Sequence, residues 1–246
     1  ASLHAFRERV PHFDGAGHTR LIVAGTPRGW VNDTVAAALG DLPACFGRDA
    51  GGIRLRDEGA TVPVRSSLMQ EAAHALRDRG LVPGWRDELY ALLDDAGEEL
   101  LRIERAAFRV FGLRSRAVHV NGHTADDRLW IGRRSHQKPT DPGKLDNFAA
   151  GGLTAGETQE ACAIRELWEE AGVPGQIAQH ARETGERIHS VRPVKRGVHD
   201  EILLCYDLEV PDSFTPACQD GEVAEFLLLS AREAATRLAA GEFTWD

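Results

Sequence analysis

Three carboxylates, Glu166, Glu169 and Glu170, recur at intervals of three and four within a stretch that reads as a helix from Gln159 to Ala171. A helix advances about 100° per residue, so the three share one face. Arg165 sits beside that face, one turn before Glu169. Like charges so crowded repel, and a hard cation with oxygen ligands removes the repulsion. Mg²⁺ suits such a place when substrate phosphates complete its shell, with Mn²⁺ as an alternative. On this reading Ala161, Ile164, Trp168 and Ala171 form the opposite, apolar side that docks on a sheet, and the acidic face stays open. Thr158 is the expected N-cap, Gly156 a tight entry and Gly172 the C-terminal stop. Gly151-Gly152 reads as a turn whose bare backbone approaches the cation. Spacing alone leaves a second reading open, a solvated acidic face with surface ion pairs of little worth.

Other elements must hold this helix in place. Ala117–Gly122 and Leu129–Arg134 read as strands around a Thr124–Asp127 turn. A polar loop, Ser135 to Lys144, leads to a strand near Asp146–Ala150. Ile202–Val210 and Val223–Leu229 are further strands, and Ala231–Ala240 is a closing helix. A seam is expected near Gly112, dividing the chain into 1–112 and 113–246. Before it, Leu21–Ala24 reads as a short strand broken by Gly25, Pro27 and Gly29. Val31–Leu39 and Ser66–Arg79 read as helices, and Gly52–Arg56 alternates like a strand. Trp85–Leu93 fits a strand or a short helix, and Leu100–Arg105 is ambiguous.

The full pattern around the acidic helix decides between the two readings. It runs Gly151, five residues, Glu157, seven residues, Arg165-Glu166, an apolar residue, any residue, Glu169-Glu170, any residue, Gly172, Val173. This resembles the Nudix box, the signature of the Nudix hydrolases. The resemblance implies an α/β (α+β) fold, an α/β/α sandwich around a mixed sheet, here preceded by a smaller α+β domain of uncertain role. It implies Mg²⁺-dependent hydrolysis of a diphosphate linked to a second group. Carried onto this chain, Glu169 and Glu170 become metal ligands, and Glu166 a ligand or the general base. Arg165 pairs with Glu157 to brace the box, and the carbonyl near Ala150–Gly151 adds a metal contact. Glu222, in Asp220-Gly221-Glu222-Val223, is the candidate for a further carboxylate, with a plain acidic loop an equal reading. Arg133 or Arg134, with Lys138 or Lys144, is the candidate for holding phosphate, although Lys138 taken alone reads as a surface cation.

A wider set of motifs, Trp85–Tyr90, Glu104–Ala107, Phe111-Gly112, Leu129–Ser135, Pro142–Asn147 and Tyr206–Pro211, is similar to one Nudix subgroup. That subgroup resembles the plant and yeast enzymes that hydrolyse thiamine diphosphate, especially its oxidised forms, to the monophosphate. Its members continue beyond Phe243–Asp246, which implies a further segment contributing to the pocket. Asp146, Asn147, Trp130 and Phe148 are candidates for the cationic ring of such a substrate, against turn stabilisation and core packing as the plainer readings. A nucleoside diphosphate derivative such as ADP-ribose or NADH is the alternative substrate. An isopentenyl diphosphate isomerase-like enzyme and a non-catalytic Nudix-like binding module rank below both, because the box is complete.

Bulk properties narrow the partners. The net charge of −9 argues against a nucleic-acid binder, yet permits a phosphorylated metabolite bound through a cation. Cys45, Cys162, Cys205 and Cys218 match no zinc spacing and read as reduced thiols of a cytoplasmic protein. No apolar run spans a bilayer, and the first residues, Ala1–Arg7, carry no signal-peptide core. The expected partners are a small diphosphate and, at most, a second copy in a homodimer. The ten histidines form no metal pair, and Arg187, Arg192, Lys195 and Arg196 form a basic cluster among loop residues, with His189 and His199 also in a loop.

Overall fold

A computed structural model describes residues 9–245. The expected absence of a leader at Ala1–Arg7 lies outside them. Two large cores and a small cluster of Ile131, Leu145 and Leu229 hold the described residues together. The first gathers apolar side chains from Leu21 to Leu113, the second those from Val118 to Val210.

In the first core, β1 (His18–Val23), β2 (Thr26–Asn32), β3 (Phe46–Asp49) and β4 (Gly52–Leu55) form a sheet of order β2-β1-β4-β3. Pro27 and Gly29 were expected to end the strand, but β2 runs through both. Pro27 is tolerated because β2 is an edge, where a missing N–H need not break a ladder. Gly29 is required because a Cβ there would strike the Phe111 carbonyl. Helix α1 (Asp33–Gly40) starts where the Asn32 side chain accepts from Val35 N at 2.9 Å. Helix α2 (Val62–Asp78) begins four residues before Ser66, since Pro63 costs nothing in a first turn. The ambiguous segments resolve into a hairpin, β5 (Leu89–Leu93) with β6 (Glu99–Glu104), followed by α3 (Arg105–Phe111). Glu104 turns strand into helix: its side chain accepts from Ala106 N at 3.1 Å and Arg86 N at 3.0 Å.

The second core lies under a seven-stranded mixed sheet. β7 (Arg114–His123) pairs parallel with β12 (Gly197–Glu209) and antiparallel with β10 (Ala149–Gly152). β8 (Arg128–Arg134) follows the predicted turn and pairs with β9 (Leu145–Asp146) and β13 (Val223–Ser230). Gly151-Gly152 therefore sits in a strand, not a turn. β11 (Arg182–Val194) pairs along β12 at the sheet edge, where a loop was expected. Its first eight residues are all exposed, so no apolar alternation betrays it. His189, Arg187 and Arg192 lie on this strand, and His199 is buried on β12. Helix α4 (Gln159–Ala171) packs on β10; α5 (Gly175–Ala178) and α6 (Ala231–Ala240) complete the fold. No helix among the described residues is long and apolar enough to cross a membrane.

The passage between the halves is tight. Gly112 has φ +57°, and a Cβ there would meet the Trp30 backbone. Gly112→Ala is expected to destabilise the chain by more than about 1 kcal/mol, read as a lowered denaturant midpoint with unchanged slope. An unshifted midpoint would show that this joint has room to relax.

Candidate active site

Helix α4 begins and ends as its capping residues dictate. Thr158 accepts from Ala161 N at 3.2 Å, and Gly172 closes it with φ +66°. Its docking face differs from the one expected. Cys162, Ala163, Leu167 and Ala171 are buried, whereas Ala161 is exposed, Ile164 only partly buried and Trp168 52% exposed. The whole helix is rotated so that Glu166 and Glu170 also turn inward, at 8% and 7% exposure, and the acidic face is not open. The rotation is possible because β10 offers no side chains at two positions. A Cβ on Gly151 would overlap the Glu166 carboxylate. The glycine is thus a cradle for that side chain.

Arg165 organises the segment. Its Nε donates to Glu157 Oε1 at 2.8 Å and its Nη2 to Glu157 Oε2 at 3.0 Å, a two-pronged pair. Glu157 in turn accepts from Thr154 N at 3.1 Å and Thr154 Oγ1 at 3.2 Å, fixing the loop. Burial pushes the Glu157 carboxyl up, but Arg165 and the Thr154 donors outweigh it and hold it below its ordinary value. The remaining nitrogen, Nη1, reaches Glu166 Oε1 at 2.5 Å and Glu169 Oε2 at 3.2 Å. Glu170 Oε2 accepts from Ala150 N at 2.9 Å. Burial pushes Glu166 up to about 7 despite Arg165, and pushes Glu170 up as well.

Among the described residues no three His, Cys, Asp or Glu side chains converge closely enough to enclose a metal ion. The hydrogen bonds above give the reason: Arg165 occupies the space between Glu166 and Glu169. The donor set nevertheless fits a hard divalent cation. It is all oxygen, two of its three carboxylates are buried, and a cationic nitrogen already lies between Glu166 and the more exposed Glu169. Arg165 could release them while its other two nitrogens stay on Glu157.

Beside β10 opens a cavity of about 200 Å³. Of the residues expected to hold substrate, Arg134 and Asp146 line it, together with Ala150 and Glu222, expected at a metal, and the Gly151–Gly152 pair. Arg134 donates to Asp146 Oδ2 at 2.8 Å and to Thr140 O. Lys138, read alone as a surface cation, is in the wall and donates to Glu222. Burial pushes its ammonium below the ordinary lysine value. Arg133 points elsewhere, bonding Glu225 and the Gly143 carbonyl, and Lys144 bonds the Gly241 carbonyl. Asn147 bonds Asn121 at 2.7 Å and His119 at 2.9 Å, in a neighbouring depression. Phe148 is fully buried and Trp130 packs beside it, so neither offers an open ring face to this cavity. The basic cluster disperses. Arg196 reaches the cavity, Arg192 is buried near Asp141, and Arg187 lines a separate cavity of about 610 Å³.

Sequence spacing missed one wall altogether. Arg86, Tyr90, Arg105 and Arg109, all from the first half, line the same cavity. Arg86, Tyr90 and Arg105 fall within the shared motifs Trp85–Tyr90 and Glu104–Ala107, which carry no chemistry when read alone; Arg109 lies in neither.

Comparison with known proteins gives the family. The NUDIX domain matches residues 113–245, and a domain of unknown function, DUF4743, matches residues 3–115. The chain belongs to the Nudix family. It is 37% identical over 187 residues to Nudix hydrolase 24, chloroplastic, of Arabidopsis thaliana, covering 74% of this chain and 51% of that protein. It is 36% identical over 176 residues to Nudix hydrolase 20, chloroplastic, of the same plant, covering 70% and 47%. The chain thus spans about half the length of the curated relatives it matches. The crystal structure of DR0079 from Deinococcus radiodurans superposes with a TM-score of 0.51 at 26% identity, covering 64% of this chain and 92% of that one.

Gly151→Ala should push Glu166 out of its cradle. Mg²⁺ affinity, measured by titration calorimetry, is expected to fall about tenfold or more. Equal affinity in the variant would mean that Glu166 has no part in holding the ion.

Proposed function

We infer that this chain hydrolyses a diphosphate bond in a small metabolite with the aid of a divalent cation, Mg²⁺ or Mn²⁺. One observation carries the reading: the buried acidic edge of α4 and its clasped Arg165–Glu157 pair lie against a glycine strand whose backbone also lines a basic cavity. Glu169 and Glu170, with Glu166 and the Ala150 carbonyl, are the candidate ligands. Glu222 is a further candidate once Lys138 turns to substrate. When bound, the cation neutralises phosphate charge and polarises the bond to be cut.

The chain's own groups supply the rest. Arg134 and Lys138 hold non-bridging phosphate oxygens, and Asp146 keeps the Arg134 guanidinium aimed at the cavity. Glu166, where it serves as base and not as ligand, takes a proton from water; the water oxygen bonds to phosphorus as the bridging P–O bond on the opposite side breaks and the second phosphate group leaves with its electron pair. Glu157 keeps Arg165 in place while its Nη1 gives up the other carboxylates.

The subgroup motifs point to thiamine diphosphate or its oxidised analogues as substrate, giving the monophosphate and phosphate. Nudix hydrolases generally use divalent ions and act on nucleoside diphosphate derivatives, which makes ADP-ribose and NADH the second reading. Side-by-side assays of thiamine, oxothiamine and nucleotide diphosphates with Mg²⁺ separate them. Chelation should abolish turnover and added Mg²⁺ restore it. Glu169→Gln should lower kcat by more than the roughly 10–100-fold lost when a partner behind a ligand is removed. Full activity after chelation, or in Glu169→Gln, would end the proposal.

A further inference from the structure

The cavity beside β10 is closed on its far side by the first half of the chain, and the joint there is specific. Ala155 N, in the loop before α4, donates to Leu89 O at 2.8 Å, tying that loop to the edge of β5. The Tyr90 hydroxyl lies against Gly152, where a Cβ would overlap it. Arg105 lies 5.3 Å from the Tyr90 ring centroid and donates to Glu88 at 2.8 Å. Arg105 and Arg109 stand four residues apart on α3, so one helix face presents both guanidinium groups to the cavity. That helix cannot drift away. Glu104 caps it, and Gly197 leaves no space for even a Cβ beside the Arg109 carbonyl.

Arg109 is the informative member. It is partly buried, it faces the cavity, and among the described residues its guanidinium has no carboxylate and no hydrogen-bond acceptor. The exposed Arg86 side chain beside it is likewise unpaired among the described residues. An unpaired guanidinium facing a cavity keeps all its N–H groups for a ligand, and an anion there would gain charge-assisted hydrogen bonds.

We propose that the N-terminal half is the second jaw of the substrate site, and that Arg109, assisted by Arg105 and Arg86, grips the phosphate group of the diphosphate that faces away from the acidic helix. The proposal rests on the hydrolase reading for its substrate, but the anion site stands on its own geometry. The N-terminal domain then determines affinity for the phosphorylated end, and α4 the chemistry.

The test uses the full chain and four proteins: the parent, Arg109→Ala, Arg109→Lys, and a control, Arg232→Ala, at an exposed position on α6. Two quantities are read: kcat and KM for the best diphosphate substrate, and the Kd of inorganic pyrophosphate by calorimetry. Arg109→Ala should raise KM and Kd about tenfold or more with kcat within about twofold, the size of a lost charge-assisted hydrogen bond. Arg109→Lys should recover part of the loss, because it restores charge without the planar fork. Arg232→Ala should match the parent. Unchanged KM and Kd in Arg109→Ala would overturn the proposal, and so would pyrophosphate that binds none of the proteins. If no diphosphate is hydrolysed, the hydrolase reading fails separately. Pyrophosphate binding that depends on Arg109 would still establish the anion site, and binding indifferent to Arg109 would refute it.

Discussion

Glu166 and Glu170 are carboxylates folded inward against a strand, and burying such charge is unfavourable unless something positive or hydrogen-bonding meets it. Arg165 and the Ala150 amide provide part of that compensation. The incomplete remainder is visible in the upward pull on both carboxyl groups. Much of the architecture follows from holding this arrangement together. Gly151 must lack a side chain, Glu157 must anchor the far end of Arg165, and Thr154 must anchor Glu157.

The sheet sets where that unit can act. β7 pairs with β12 on one side and β10 on the other, so the glycine strand is fixed along one edge to a central strand of the sheet. The segment after α4 folds back on its end, with Gln219 N donating to Glu169 O at 2.8 Å. Ser135 N donates to Glu222 O at 2.8 Å, which joins the Ser135–Lys144 loop to the segment carrying Glu222. Lys138 and Glu222, 84 residues apart, meet at the cavity through these backbone ties. The same loop supplies Thr140, whose carbonyl orients Arg134. The cations of the cavity wall thus come from a strand end, a loop and the first half of the chain, while Glu166, Glu169 and Glu170 come from one helix.

Local rules accounted for much of the fold. The caps of α4, the β7–β8 turn and the closing helix follow from Thr158, Gly172, Asp127 and Ser230. They failed where tertiary packing overrides them. β2 passes through Pro27 and Gly29 because it is an edge strand under the Phe111 carbonyl. β11 shows no alternation because its first eight residues are exposed, and only its ladder with β12 defines it. The face assigned to α4 was wrong because Trp168 is the larger apolar side chain, whereas the glycines of β10 leave room only for the side that carries the acids.

What the sequence determined by itself was the family, through its candidate site segment: an unbroken run of residues, from Gly151 to Val173, whose spacing is read within one loop and one helix. Contacts of that kind are local, so a one-dimensional pattern records them. The wall facing it was decided by tertiary structure alone. Tyr90, Arg105 and Arg109 lie far from Gly152 along the chain and meet it only because α3 and the β5–β6 hairpin pack across the joint at Gly112. Nothing in their spacing could announce that, since an arginine on a short helix looks the same in solvent as over a cavity. Which of Arg133 and Arg134 reaches the cavity was settled in the same way, by which face of β8 turns toward Asp146.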